Sequence, residues 1–169
     1  MSAALVADLL VLQGLIGGLD TLVNHEWIEK LPRRAAARRE IGLHAVREAT
    51  YGALFIALGW YAWQGALALV IGSLLLLEVA ITATDELVEN RTRVLPQNER
   101  VMHVFLTLNY GLIIALLVPT LLEWSALPTA VVADRHGAAS WILAVLGATA
   151  LAWSVRDLVA WRRLAFLTA

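Results

Sequence analysis

The sequence predicts an all-α protein, a bundle of five transmembrane helices built from two repeated helical hairpins and a fifth helix. Three observations support this class: 60% of the 169 residues are hydrophobic, only 16% are charged, and the apolar residues fall in long runs. A soluble domain carries about 25% charged residues. This chain therefore has too few charges to cover a soluble surface, and we expect it to lie in a membrane.

Composition excludes several other classes of protein. The absence of Cys excludes a disulfide scaffold. The 13 Lys and Arg residues stand against 14 Asp and Glu residues, which is not the basic balance of a nucleic-acid-binding protein. Intrinsic disorder requires a chain that is poor in apolar residues and rich in charge. We therefore expect a single membrane domain over residues 1–169, with no nucleic-acid partner.

Five apolar runs have the length of about 20 residues with which a helix crosses a bilayer. Because every backbone amide must be hydrogen-bonded within the lipid, each run is predicted to be helical. The runs cover residues 3–23, 43–63, 66–84, 101–124 and 140–161.

The basic residues indicate how these spans are oriented. Segments 26–42 and 86–100 and the C-terminal tail hold 11 of the 13 Lys and Arg residues, whereas the opposite side holds only Arg135. Positive residues concentrate on the cytoplasmic side of membrane proteins. The sequence therefore predicts an N-terminus outside and a C-terminus in the cytoplasm, across a bacterial inner membrane.

An internal repeat relates two stretches of the chain, about residues 13–55 and 78–114. The first contains Glu40-x3-His44-x6-Tyr51-Gly52, and the second contains the same residue types at the same spacing, Glu99-x3-His103-x6-Tyr110-Gly111. Upstream, Gln13 precedes Asp20 by seven residues, as Glu78 precedes Asp85. Repeated hairpins of this kind commonly place a site at their interface.

The matched acids and histidines are the candidate site. Charged groups inside a membrane are costly unless they are paired or coordinated, and Arg47 is the only cation expected near them within a span. Carboxylates and imidazoles are suitable ligands for iron, manganese and zinc. The primary metal-ligand candidates are Glu40, His44, Glu99 and His103, followed by Asp20 and Asp85, and then by His25 and Glu89, which align when the repeat is anchored on its Leu-Pro pairs.

Further polar residues surround these candidates. Whether His25 or its neighbours Asn24 and Glu26 bind the metal, and whether Glu89 does, remains open. Tyr51 and Tyr110 are placed to hydrogen-bond ligating carboxylates. Glu48 and Glu78 are candidates for additional ligands, proton-relay groups or partners of Arg47.

This ligand pattern resembles the ferritin-like di-metal carboxylate proteins. Those four-helix bundles use one Glu from each of two helices and a Glu-x-x-His pair from each of the other two. Here the spacing is Glu-x-x-x-His in both repeats, so the resemblance is one of architecture. It implies two transition-metal ions, with iron favoured and zinc or manganese as alternatives. The chain is also similar to bacterial integral-membrane proteins of uncharacterised function.

The leading functional hypothesis is a di-iron oxidoreductase in the membrane that acts on a lipid-soluble substrate at the cytoplasmic side. Its partners would be membrane lipid and a hydrophobic small molecule, and a homo-oligomer is left open. Three alternatives remain: a metal-dependent hydrolase with Glu40 or Glu99 as base, a haem protein with His44 and His103 as axial ligands, and an ion or proton transporter.

Overall fold

The structure, a computed structural model, describes residues 3–166, which form five α-helices. The helices are α1 (Ala3–Asp20), α2 (Arg38–Trp60), α3 (Ala68–Thr92), α4 (Gln97–Ser125) and α5 (Ala138–Ala165). A π-helix, Thr21–Ile28, continues α1, and 3-10 turns occupy Leu31–Arg33, Ala35–Ala37 and Gly65–Leu67. Two short strands, β1 (Tyr61–Trp63) and β2 (Val131–Ala133), complete the described chain.

The predicted all-α bundle is confirmed, and four helical segments within residues 3–166 are long and apolar enough to cross a membrane. They are Ala4–Ile28, Gly65–Thr92, Gln97–Ser125 and Ala138–Ala165. Helix α2 is not one of them because its first half carries several charges, including Arg47 and Glu48.

The second predicted span was wrong at its end. Residues 43–63 do not form one helix, because α2 ends at Trp60 and Tyr61–Trp63 are extended. β1 pairs antiparallel with β2, and Tyr61 lies opposite Ala133. Aromatic and β-branched residues favour strands, and the partner strand satisfies the backbone groups that the helix end leaves free. The first span also differs, since its helix extends as a π-helix to Ile28.

The five helices form a closed ring in the order α1, α4, α3, α2, α5, with α5 packed against both α2 and α1. Helices α2 and α5 approach each other closely at Gly52 and Gly147. A Cβ atom added to either glycine would lie 3.1 Å from the carbonyl oxygen of the other. Small residues at helix contacts allow such backbone approach within membranes.

The two ends of the ring differ in character. One fully buried aliphatic side chain from each helix meets at the end next to the strands: Leu10, Leu54, Ile71, Ile113 and Leu143. We call this the apolar end. At the opposite end, the polar end, the buried side chains include acids, histidines and amides beside a smaller aliphatic cluster around Leu31 and Ile41. The main aliphatic core therefore lies at one end of the ring, and most buried polar side chains lie at the other.

Candidate functional site

All eight predicted metal ligands lie together at the polar end. They come from the last turns of α1 and α3, the first turns of α2 and α4, and the π-helix. We call the following set the polar cluster: Asp20, His25, Glu40, His44, Asp85, Glu89, Glu99 and His103. Seven of the eight are buried, and the side chain of His103 is 20% exposed. The antiparallel helix order explains this placement, because successive helices bring alternate ends to the same side.

The matched residues of the two repeats exchange partners. His44 Nε2 lies 3.1 Å from Asp85 Oδ2, so the histidine of the first hairpin contacts the aspartate of the second. Conversely, the histidine of the second hairpin contacts the aspartate of the first, because His103 Nε2 lies 3.4 Å from Asp20 Oδ2. The two pairs therefore tie the hairpins together through equivalent positions.

Arg93, just beyond the end of α3, joins the two matched glutamates. Its Nη2 donates to Glu99 Oε1 at 2.6 Å and to Glu40 Oε1 at 2.8 Å, and its Nη1 donates to Glu99 Oε2 at 2.8 Å. Burial opposes the guanidinium charge, but these hydrogen bonds outweigh it and raise the pKa of Arg93 above its usual range. Arg93 is thus a second cation at the site, outside the predicted spans, within which Arg47 was the only one expected.

His25 and Glu89, the two candidates that depended on the alignment anchor, both lie at the centre of the cluster. The His25 ring stacks on the His44 ring with 4.5 Å between centroids. Its Nε2 is 3.3 Å from Glu99 Oε1 and 3.4 Å from Asp20 Oδ2, yet it makes no hydrogen bond. Glu89 lies between the two histidines of the repeat, 3.9 Å from His44 Nε2 and 3.7 Å from His103 Nδ1.

The side chains group into two sets whose ligand atoms all lie within 4.8 Å of one another. One set is Glu40, His44 and Glu89, and the other is His25, Glu89, Glu99 and His103. Glu89 belongs to both sets. Its two carboxylate oxygens are therefore placed between two groups of oxygen and nitrogen donors that suit transition metals.

The cluster carries an excess of negative charge. Its five carboxylates, Asp20, Glu40, Asp85, Glu89 and Glu99, are each at most 3% exposed. Two guanidinium groups face them, since Arg47 pairs with Asp85 at 2.7 Å and Arg93 pairs with the glutamates. An excess of three formal negative charges remains, which metal cations or protonated imidazoles would offset. Buried charge without such compensation is strongly destabilising.

Of the candidates farther from the cluster, Tyr51 and Glu78 form a separate hydrogen-bonded chain with Gln13. The Tyr51 hydroxyl donates to Glu78 Oε1 at 3.0 Å and accepts from Gln13 Nε2 at 3.0 Å. Tyr110 donates instead to the backbone carbonyl of Leu75. Neither tyrosine hydrogen-bonds a carboxylate of the polar cluster within the described residues. Glu48 Oε2 is buried without a hydrogen-bond partner.

Asn24 and Glu26, the neighbours of His25, have partners of their own. Asn24 donates to Asp20 Oδ1 at 2.6 Å and accepts from Asn98 Nδ2 at 2.5 Å, so it fixes the orientation of the aspartate. Glu26 pairs with Arg156 of α5. The amide contacts of Asn24 and Asn98 were not anticipated, because short amide side chains near helix ends give no distinctive spacing in a sequence.

A cavity of about 870 Å³ extends from the polar cluster into the ring, and all five helices contribute to its wall. His44 and Asp85 line it near the cluster, and Gly17 and Phe55 line its apolar part. Leu108 of α4 also belongs to the wall and is 63% exposed, so the cavity reaches the outer surface of the bundle. That surface would face lipid in a membrane.

Comparisons of the chain with protein-family models, with curated proteins and with solved structures find no match. The resemblance to ferritin-like carboxylate proteins therefore stays a prediction based on residue types and spacing.

Proposed function

We propose that this chain is an integral membrane protein that binds two transition-metal ions, with iron favoured, in its polar cluster. The observation that carries the proposal is the position of Glu89, which belongs to both candidate ligand sets. Glu40 and His44 would complete one site, and His25, Glu99 and His103 the other. The excess of buried carboxylates gives the cluster a reason to hold cations.

The geometry around His25 is compatible with a metal ligand. Its Nε2 lies 3.3 Å from Glu99 Oε1 and 3.4 Å from Asp20 Oδ2, distances that also suit an ion pair when the imidazole is protonated. The nitrogen is buried and makes no hydrogen bond. Imidazole nitrogen and carboxylate oxygen together would suit a transition-metal ion.

Asp20 would act on a ligand instead of on the metal. It contacts His103 Nε2 while Nδ1 of the same ring faces Glu89, so it would fix the orientation of that imidazole ring, as carboxylates commonly do for ligating histidines. Asp85 contacts His44 at Nε2, the nitrogen that also faces Glu89. Arg93 would hold Glu40 and Glu99 close together.

We further propose that the protein is an oxidoreductase for a lipid-soluble substrate, working at the cytoplasmic side of a bacterial inner membrane. Iron in such a centre would supply electron transfer and the activation of dioxygen. The supporting observation is the cavity, because it links the cluster to the lipid-facing surface of the bundle. In this arrangement all five helices cross the bilayer, and the N-terminus lies outside. Helix α2 crosses with the charged side chains of its first half directed into the ring.

Metal analysis of the detergent-purified protein tests the proposal directly. We expect two iron ions per chain by inductively coupled plasma mass spectrometry, and at most one in the Glu89→Ala variant, because that change removes the shared ligand. Glu123→Ala is the control, since Glu123 is exposed near the far end of α4 and belongs to neither ligand set. A wild-type protein without transition metal, or equal metal content in both variants, would refute the proposal.

A further inference from the structure

The cavity contains a second polar site, about two helical turns deeper than the metal ligands. Glu78 precedes Asp85 by seven residues on α3, which places it roughly 10 Å farther along the helix. It lines the cavity and is 3% exposed. Its Oε1 accepts hydrogen bonds from Tyr51 at 3.0 Å and from Thr82 at 2.7 Å, whereas its Oε2 is buried without a partner.

Unpaired polar atoms are concentrated around this cavity. Among the described residues, eight buried side-chain atoms lack a hydrogen-bond partner, and six of them belong to residues that line it. The six residues are His25, Arg47, Glu48, Glu78, Asp85 and Trp153. Buried polar groups are normally hydrogen-bonded, so the wall offers donors and acceptors to a molecule inside it.

The polar groups around Glu78 determine which kind of molecule this second polar site can bind. Glu78 Oε2 requires a hydrogen-bond donor, and Arg47 Nε offers a donor of its own in the same wall. A hydroxyl group can donate and accept at once. A carboxylate carries no donor for Glu78 Oε2, and a plain hydrocarbon would leave both atoms unsatisfied.

The rest of the cavity is suited to an apolar body. Gly17 of α1 lines it, and a Cβ atom at Gly17 would meet only Leu106, at 3.9 Å. Small-molecule sites typically enclose about 300–1,000 Å³ and combine an apolar lining with a few polar groups. The volume of about 870 Å³ lies within that range.

We propose that this cavity binds a neutral, lipid-soluble alcohol or phenol whose hydroxyl group donates a hydrogen bond to Glu78. Because such a molecule would be the substrate of the metal centre, the inference rests on the proposed function for the role of the ligand. It does not rest on it for the hydrogen bond to Glu78, which belongs to neither metal-ligand set.

Binding of radiolabelled 4-octylphenol to the full-length protein in lipid nanodiscs tests the inference, with empty nanodiscs subtracted. The comparison compound is its methyl ether, which cannot donate a hydrogen bond. We expect saturable binding of the phenol and about tenfold weaker binding of the ether, the usual effect of losing a hydrogen bond to a charged group.

Two variants and one control locate the site. Glu78→Gln keeps an oxygen for Tyr51 and Thr82 but replaces the free acceptor by an NH2 group, and we expect about tenfold weaker binding of the phenol. Gly17→Leu fills the cavity and should weaken binding of both compounds. Gly111→Leu is the control, because a Cβ atom there meets nothing within 4 Å and Gly111 does not line the cavity.

Equal affinity for the phenol and its ether, or unchanged binding in Glu78→Gln or Gly17→Leu, would overturn the inference. Metal content, measured on the same preparations, separates it from the proposed function. Selective phenol binding by a metal-free protein would leave the inference standing and refute the metal centre. A metal-loaded protein that does not distinguish the two compounds would do the reverse.

Discussion

At the scale of single residues, Arg93 connects the two repeats. It donates hydrogen bonds to both Glu40 and Glu99, which are matched positions of the two hairpins and are each fully buried. A guanidinium group has a planar set of donors that can serve two carboxylates at once. Arg93 thereby neutralises charge at the point where the hairpins converge, and its removal would leave two buried carboxylates without this partner.

We expect the Arg93→Met variant to lose about 3–5 kcal/mol of unfolding free energy, because removing one partner of a buried ion pair leaves uncompensated charge. The measurement is the midpoint of thermal unfolding in detergent, followed by circular dichroism. Arg91→Met provides the matched control, since Arg91 is exposed two residues away in the chain. Equal midpoints for the two variants would show that Arg93 does not stabilise the fold in this way.

The sequence anticipated the residues of the cluster better than their contacts. Glu40, His44 and their repeats were identifiable because four residue types recur at identical spacing. The pairing of Arg93 with Glu40 and Glu99 was not, because a basic residue in a connection between helices also fits the general excess of positive charge on one side of a membrane protein. The contact of Arg93 with Glu40, 53 residues away in the chain, depends on how the hairpins pack, which no local pattern encodes.

At the scale of elements, α5 completes the ring by packing closely against α2. The contact depends on Gly52 and Gly147, whose missing side chains let the two backbones approach. Within lipid there is little hydrophobic drive for helices to associate, so close packing of this kind supplies much of the attraction. The sequence left the role of the fifth helix open, and the structure makes it a wall of the bundle.

We expect Gly147→Leu to destabilise the protein by about 1–3 kcal/mol, the range typical of overpacking. The added Cβ would lie 2.8 Å from Ile56 Cγ1 and 3.1 Å from the Gly52 carbonyl oxygen, so the helices must separate. Gly111→Leu, a helix glycine with open space around it, should be neutral or slightly stabilising. Thermal unfolding of both variants in the same detergent checks this, and equal losses would contradict it.

Two elements could not have been predicted from the hydropathy pattern. The π-helix Thr21–Ile28 differs from an α-helix only in its hydrogen-bond register, which composition does not reveal, although such segments often occur at functional sites. It carries Asn24 and His25 into the buried cluster. The strand Tyr61–Trp63 belongs to an apolar, aromatic run that is equally suited to a helix end, and only its pairing with Val131–Ala133 decides the outcome.

At the scale of the whole molecule, the repeat found in the sequence corresponds to contacts that the structure shows. Each hairpin contributes an aspartate to the histidine of the other, and both contribute a glutamate to Arg93. The one-sided position of the cluster follows from the antiparallel order of the helices. The proposed topology has α2 cross the membrane with its charges shielded by its neighbours, which the charge distribution in the sequence alone could not establish.

Cysteine accessibility tests that topology, and the chain suits the method because it contains no Cys. Four single variants are needed: Arg33→Cys before α2, Ala66→Cys after it, Arg91→Cys before α4 and Ser125→Cys after it, all at exposed positions. A membrane-impermeant maleimide added to spheroplasts should label Ala66→Cys and Ser125→Cys, and should label the two arginine variants only after lysis.

The pattern of labelling distinguishes the errors that the topology could contain. The wild-type chain gives the background, because it has no thiol. Labelling of Arg33→Cys and Ala66→Cys from the same side would show that α2 does not cross. Molecules on that side could then reach the polar cluster without passing through the bundle. A complete reversal would keep all the crossings but place the cluster on the outer side, because Arg33 and Arg91 lie at the same end of the ring as its ligands. The expected pattern would instead place the polar end in the cytoplasmic half of the membrane, where the positive-inside rule puts it.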